Sequence, residues 1–506
     1  MINHFYRLSA SSRRIIIKFP EIILGISFLM FIYFSSQFIF NFVPYDDEGL
    51  DISPAFNLMH YGHMGTSQAD YNDSVKRHTY WEMPLYYLLQ TVWLKFFGIG
   101  LFQARFLSLV FGILLLCIIY IIAKKSFNNR WVGVLSVYLI SIDWHFYSMA
   151  GLARFDMVSA AFGYGSLGAY LYQREKNLST AILTSSSLIV LSGLTHPFGL
   201  IYLPCLLLFM ARDIRQICGK HIFLFFLPFI LGGVLWGSYI LQNPQAFINQ
   251  FTINSSPHLT YDSKISLFQN LLNRTQEFFR IIGFENYDVV FNRQRRALFF
   301  TIYIPGMLTG MYCLFIKKRI ARLLSFSLIL IVLFTIIFVR KDRVYAPHLV
   351  PFFCLFFAFF FTSVYQRFSA LRVVAIGLVA VITGMSAWHN FIFYTHEKPY
   401  NNYYVPVIQT LKESVAEKAS IEGPPELAFD IGFDYPKFTN NTFFGLDKGE
   451  RPEIIVINGL RKTIFDNERG SAKSGLAASI NLVDNILQKE YDTIFSNCCY
   501  TIYRLR

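Results

Sequence analysis

The chain is 506 residues long, 54% hydrophobic and 18% aromatic, with only 15% charged residues, against about 25% charged in a soluble globular chain. That deficit runs through the first four-fifths of the sequence and excludes a soluble globular protein in favour of many membrane spans. The net charge of +13 does not point to nucleic acid, because the basic residues sit in short clusters between apolar runs, the arrangement that orients membrane proteins.

The N-terminal segment carries Arg7, Arg13, Arg14 and Lys18 ahead of an apolar run from Pro20 to Phe42. The run is too long for a signal peptide and no small-x-small cleavage site follows, so it is expected to be an uncleaved first span with the N-terminus in the cytoplasm. A span takes about 20 apolar residues. The further candidates are Leu101–Ala123, Trp131–Ser148, Met157–Tyr172, Leu178–Thr195, Pro197–Met210, His221–Leu241, Ala297–Ile316, Ile320–Val339, Val344–Val364 and Leu371–Phe393, which makes about eleven in all. Pro84–Gly98 is apolar but short and is interrupted by Gln90 and Lys95. It is expected to lie along the membrane surface.

This topology makes nearly every inner loop basic, as the positive-inside rule requires. The clusters are Lys124, Lys125 and Arg130; Arg174 and Lys176; Arg212, Arg215 and Lys220; Lys317, Lys318, Arg319 and Arg322; and Arg367 and Arg372. The opposite face receives a first long loop, 43–100, a second, 242–296, and the tail, 394–506. The expectation is therefore a multi-pass protein of the inner or plasma membrane, with an all-α membrane domain over 1–393 and a small extracytoplasmic α/β domain over 394–506. In the tail, helices are expected near Val405–Lys418 and Leu476–Gln488, and strands near Glu453–Ile457 and Tyr500–Arg504. Five cysteines lie in or beside apolar runs, and Cys498 and Cys499 are adjacent, a spacing that pairs only with strain. No disulfide framework is expected.

Chemistry-bearing residues gather in the outward segments. Tyr45-Asp46-Asp47-Glu48 follows the first span directly. Ala55, Leu58 and Met59 then form an apolar face at helical spacing, which sets the acids at the start of a surface helix, where negative groups are favoured. A solvated loop start is the plainer reading. Trp81-Glu82-Met83-Pro84 ends the same loop, with the proline opening a helix and the aromatics suited to anchoring at the interface. Arg154-Phe155-Asp156 falls in the next outward turn, either as a site or as a satisfied salt bridge. Asp143 and His145, near the end of the preceding span, are expected to be supporting residues. Arg340-Lys341-Asp342-Arg343-Val344-Tyr345, with Arg293, Arg295 and Arg296, breaks the topological charge rule. A phosphate at the outer surface explains such cations, as does contact with anionic lipid headgroups. His258 is a lone histidine in the second outer loop. With Glu82 it can hold a divalent metal, zinc or manganese, although two ligands identify neither.

Asp47-Glu48 followed by Ala55, Leu58, Met59 and Gly62 resembles the first-loop acidic motif of the GT-C glycosyltransferases, in particular the protein O-mannosyltransferases and the aminoarabinose lipid A transferases. Glu82-Met83-Pro84-Leu85-Tyr86-Tyr87, Phe97-Gly98 with Ala104-Arg105, Arg154-Phe155-Asp156, Thr195-His196-Pro197, and Tyr345-Ala346-Pro347 with Pro351 resemble later blocks in the same order. Met83 stands where the lipid A branch commonly has lysine, and Met83-Pro84 where relatives often have two prolines. These departures bear on the sugar or acceptor.

The resemblance implies a GT-C fold and an inverting transfer from a polyprenyl-phosphate-linked sugar to a lipid, glycan or protein at the non-cytoplasmic face. It makes Asp47 the general base, supported by Glu48 and Asp156, and gives the donor phosphate to Arg340, Lys341, Arg343, Tyr345, Arg105 and Arg154. Membrane lipids are the remaining partners, and no nucleic acid is expected. Nucleotide sugars are cytoplasmic, and no Gly-rich phosphate loop or Asp-x-Asp motif appears. The competing readings are a transporter or flippase for a lipid-linked or anionic substrate, a scaffold or receptor, and a relative without activity. Against the first stand the loop position of the acids and the lack of an internal repeat.

Overall fold

The structure is a computed structural model that describes residues 10–66, 68–69, 73–259, 267–283, 296–338, 343–469 and 477–506. Seven helices among these residues are long and apolar enough to cross a membrane: Phe19–Asn41, Leu101–Phe127, Leu178–Thr195, Gly219–Ile240, Arg319–Ile337, Ala346–Arg367 and Ser369–Ile392. All seven fall on expected spans. The other four candidates are also helical but differ in kind.

Expected span Trp131–Ser148 is two helices, α5 (Arg130–Ser141) and α6 (Trp144–Ala150). The break is chemical. Asp143 accepts the backbone N–H of Phe146 at 3.1 Å, as a helix N-cap does, and the Tyr303 hydroxyl at 2.6 Å. Pro197–Met210 is a 3₁₀ turn, Pro197–Ile201, leading into a ten-residue helix, Tyr202–Ala211. Ala297–Ile316 contains a π-helical turn at Phe299–Tyr303 ahead of the helix Ile304–Cys313. Helix α7 (Phe155–Gln173) is rich in small residues. Its Gly163 lies so close to the Tyr202 ring that an added Cβ would be 2.1 Å away, the kind of close helix approach that small residues allow in membranes.

Four helices build the site's frame. Helix α1 is Ala10–Asn41 and α2 is Asp46–Tyr61. Helix α3 is Pro84–Phe97, on the segment expected at the membrane surface, and α4 is Leu101–Phe127. Arg105 lies near the start of α4 and Lys125 near its end, about 30 Å apart at 1.5 Å per residue. The basic clusters converge at the far end. Lys125 pairs with Glu175 at 2.6 Å, the Arg174 Nε donates to Asp213 at 2.6 Å, and the Lys318 Nζ donates to the Phe127 carbonyl at 3.1 Å. The acids following α1 lie at the near end.

The tail carries a five-stranded sheet of order β2-β1-β3-β5-β4, with β1 Ile421–Glu422, β2 Phe438–Thr439, β3 Ile454–Asn458, β4 Tyr491–Ser496 and β5 Tyr500–Leu505. Strand β1 pairs in parallel with β2 and β3, while β5 runs antiparallel to β3 and β4, with Asn458 opposite Tyr500. Helices Val405–Ala416 and Ala477–Glu490 match the expected pair. A further helix follows β3 directly, Gly459–Arg469. One buried cluster joins Ile52 and Phe56 of α2 and Tyr86 and Tyr87 of α3 to Ile421, Ile454, Val456 and Ile502 of the sheet. The tail is thus packed on the first loop through a shared apolar core.

Candidate active site

Glu48 fixes the start of α2. Its Oε1 accepts the Arg105 Nε at 2.8 Å and the Ala153 N–H at 2.7 Å, and its Oε2 accepts the Arg105 Nη2 and the Tyr45 N–H, both at 2.7 Å. Arg105 directs its other N–H groups to the carbonyls of Ile39 (2.7 Å), Phe42 (3.1 Å) and Val43 (3.2 Å). Both side chains are completely buried. This pair ties the end of α1, the start of α2, the α4 wall and the turn before α7 into one frame. Every N–H of Arg105 is bound to protein, so it positions the loop and offers no donor to a phosphate. Both carboxylate oxygens of Glu48 are likewise taken up by protein N–H groups.

Arg154 is the second centre. Its Nε donates to the Asp156 Oδ2 at 3.0 Å, and its Nη1 pairs with Asp47 and lies 3.9 Å from the Asp51 Oδ2. The guanidinium stacks over the Phe155 ring, 4.9 Å from its centroid. Three carboxyls from two separate segments therefore meet one cation. Their exposure separates them. The Asp47 side chain is 44% exposed, those of Asp51 and Asp156 5% and 2%. Burial pushes the Asp51 carboxyl well above the usual carboxylate range, with Arg154 opposing and Asp47 and Asp156 adding to it. Burial, then the charge of Asp51, raises Glu82 in the same way.

Glu82 has a histidine neighbour among the described residues. Its Oε2 lies 3.8 Å from the His196 Nε2. His196 accepts the Phe198 N–H on Nδ1 at 3.2 Å, which leaves Nε2 to carry the proton toward Glu82. The His196 ring lies flat on Phe155, 4.6 Å between centroids, and 6.0 Å from the ring of Tyr345. A continuous line of contacts thus runs from Asp47 through Arg154, Phe155 and His196 to Tyr345, which opens the helix Ala346–Arg367.

Several expected residues lie outside what the structure describes: Arg293, Arg295, Arg340 and Lys341 entirely, and the side chains of His258 and Arg343. The backbone of His258 is in the helix Pro244–Leu259 and that of Arg343 in the turn Arg343–Tyr345. Among the described residues no group of three His, Cys, Asp or Glu side chains is disposed to hold a metal ion; the three carboxyls around Arg154 enclose its guanidinium instead. Asp51 and His196 were not expected as site residues. Asp51 follows Asp47 by four positions, the spacing that shares a helix face. His196 carried no local signal beyond the Thr195-His196-Pro197 block.

Neither a protein-family model nor a curated protein sequence matches the chain. Solved structures do. The crystal structure of ArnT from Cupriavidus metallidurans bound to undecaprenyl phosphate is similar at a TM-score of 0.59 and 14% identity, over 95% of this chain and 97% of that one. The archaeal oligosaccharyltransferase AglB from Archaeoglobus fulgidus, in complex with an inhibitory peptide and a dolichol-phosphate, is similar at 0.58 and 12%, over 96% of this chain and 74% of that one. The same oligosaccharyltransferase in complex with Zn and sulfate gives 0.56 and 12%, over 96% and 73%. At this identity the likeness is one of fold. The chain has the GT-C fold: a helical membrane domain with a small C-terminal sheet.

Proposed function

We propose that this protein transfers a sugar from a polyprenyl-phosphate carrier to a lipid, glycan or protein acceptor at the non-cytoplasmic membrane face, with inversion at the anomeric carbon. One observation carries the reading: of the carboxyls gathered around Arg154, Asp47 is the one open to an incoming acceptor, while the others are buried. The fold supports it, since the ArnT structure holds undecaprenyl phosphate and the AglB structure a dolichol-phosphate.

In this scheme the acceptor oxygen or nitrogen attacks the anomeric carbon and its proton passes to Asp47. The bond from that carbon to the phosphate oxygen breaks, and the electron pair leaves with the phosphate. A carboxylate is a weak base toward a hydroxyl, so proton transfer accompanies bond formation. Arg154, held by Asp156, orients Asp47, and Asp51 backs Arg154 from the buried side. Arg340, Lys341 and Arg343 are the cations assigned to the leaving phosphate, with Tyr345 as a further donor. A lipid carrier suits a site at the end of the membrane helices, because the polyprenyl tail stays among the spans while the phosphate reaches the surface.

Mass spectrometry of cell-envelope lipids and glycoproteins, with the wild-type gene, without it, and with Asp47→Asn, tests the proposal. A glycosylated species absent from both altered strains is the expected result. An envelope identical in all three strains overturns it.

A further inference from the structure

We propose that the C-terminal domain is a positioning element for the Asp47 carboxylate, and that Asn458 is the residue through which it acts. The inference rests on the function proposed above. Helix α2 presents two working faces. Asp46, Gly49 and Phe56 fall along one face of that helix, while Asp47 and Asp51 fall on another, since successive residues turn by about 100°. The second face meets Arg154. The first meets the tail at three points.

At the helix start, the Asn458 Nδ2 donates to the Asp46 Oδ1 at 2.6 Å and to the Glu426 Oε1 at 3.1 Å. One turn on, the α2 backbone touches the tail backbone: an added Cβ at Gly49 would lie 2.1 Å from the Pro425 carbonyl oxygen. Further along, the Phe56 ring stacks on Phe433 at 5.3 Å. The polar contact sits one residue from Asp47, and only it has a direction.

Asn458 is itself rigidly held. It is the last residue of β3 and 7% exposed. Its Oδ1 accepts the Arg461 N–H at 3.0 Å, which caps the helix after β3. Opposite it in the sheet, the Tyr500 hydroxyl donates to the same Glu426 oxygen at 3.2 Å. Arg461 reaches back to the Asn441 carbonyl at 3.0 Å. The titratable and charged groups facing this cluster are Asp46 on α2, Glu426 after β1, Arg461 beyond β3, Tyr500 on β5, and Glu422 on β1 near Arg461. Burial first, and then the facing Asp46 carboxylate, push Glu426 well above the usual carboxylate range. A neutral Glu426 lets one amide serve both carboxyls. An ionised one sets a buried carboxylate and a half-buried one on the same donor, and the contact weakens as pH rises. Asp46, Glu48 and Asp51 thus hold the first turns of α2 to the tail, to α4 and to Arg154 in turn, with Asp47 between them.

The test uses the full-length protein in nanodiscs and reads two things. Hydrogen exchange at the amides of α2 reports the contact without any chemistry. Transfer kinetics, with undecaprenyl-phosphate-linked sugar extracted from native membranes as the probe, report its use. Asn458→Ala is expected to speed exchange in α2 about tenfold, the loss of one charge-assisted hydrogen bond, and to leave exchange in Leu178–Thr195 unchanged. It should lower kcat roughly ten- to a hundredfold with little change in the donor KM. Glu426→Gln, which cannot ionise, should abolish the rise of α2 exchange, corrected for intrinsic rates, between neutral and alkaline pH. If Asn458→Ala leaves α2 exchange or kcat unchanged, the inference is overturned. It is overturned as well if α2 exchange shows no pH response that Glu426→Gln removes. A wild-type protein without transfer, in which Asn458→Ala still loosens α2, overturns the proposed function instead.

Discussion

Asp47 and Asp51 stand one helical turn apart on α2 and face the same guanidinium, that of Arg154, yet the first is 44% exposed and the second 5%. One cation therefore serves a carboxylate that can meet a substrate and an acid sealed behind it. Asp47→Asn is expected to lower transfer by about 10²–10⁴, the usual contribution of a general base. Its stability cost is about 1 kcal/mol or less, because the pair it breaks is partly solvated. Turnover and unfolding midpoint, measured on the same preparation, check this. Near-normal turnover removes Asp47 as the base.

Asp51→Asn is expected to act through pH. Burial raises the folded-state value of Asp51 above its ordinary 3.8, so the neutral acid is the form that folding favours. The stability this contributes is fully present below the unfolded value and is lost as pH rises through the folded one. In that window the wild type loses up to about 1.4 kcal/mol per pH unit relative to a residue that stays neutral. The unfolding midpoint of Asp51→Asn should therefore gain on the wild type as pH rises. Parallel midpoint curves would refute the buried neutral acid.

Glu48→Gln removes a full charge from a completely buried pair and leaves Arg105 uncompensated, at a cost of about 3–5 kcal/mol. Glu48→Gln combined with Arg105→Gln is expected to cost less than the two single changes together, since no lone charge remains inside. Unfolding midpoints of the four proteins give the coupling directly. Strictly additive losses would mean that the two side chains do not depend on each other. This is the stability pattern that sets Glu48 apart from Asp47, its neighbour in sequence.

That contrast shows what the sequence carried and what it hid. The spans are legible because twenty apolar residues have few other uses, and the kink at Asp143 escaped because a polar residue inside an apolar run has no period of its own. Asp46, Asp47 and Glu48 are indistinguishable as letters. Their different partners, Asn458, Arg154 and Arg105, lie 412, 107 and 57 positions away and follow only from the folded backbone. The contact of Glu82 with His196, at 3.8 Å, likewise follows only from the folded backbone. In the tail, β3 shows as a short continuous apolar run and β5 as an alternating one, whereas β1 and β2, at two residues each, leave no pattern to read.

Gly49→Ala is the sharpest probe of how closely α2 and the tail are fitted. In an isolated helix this change helps by about 1 kcal/mol, because glycine loses more conformational entropy on ordering. Here the new methyl would meet the carbonyl oxygen and carbon of Pro425 at 2.1 and 2.3 Å. Those atoms belong to the backbone and cannot rotate away, so helix and tail must separate. Overpacking of this kind costs about 1–3 kcal/mol, which outweighs the gain in propensity. The expected outcome is a lower unfolding midpoint together with faster proteolysis in the tail, while the membrane helices keep their protection. A midpoint equal to or above the wild type would mean that the backbones of α2 and the Pro425 turn are not in contact.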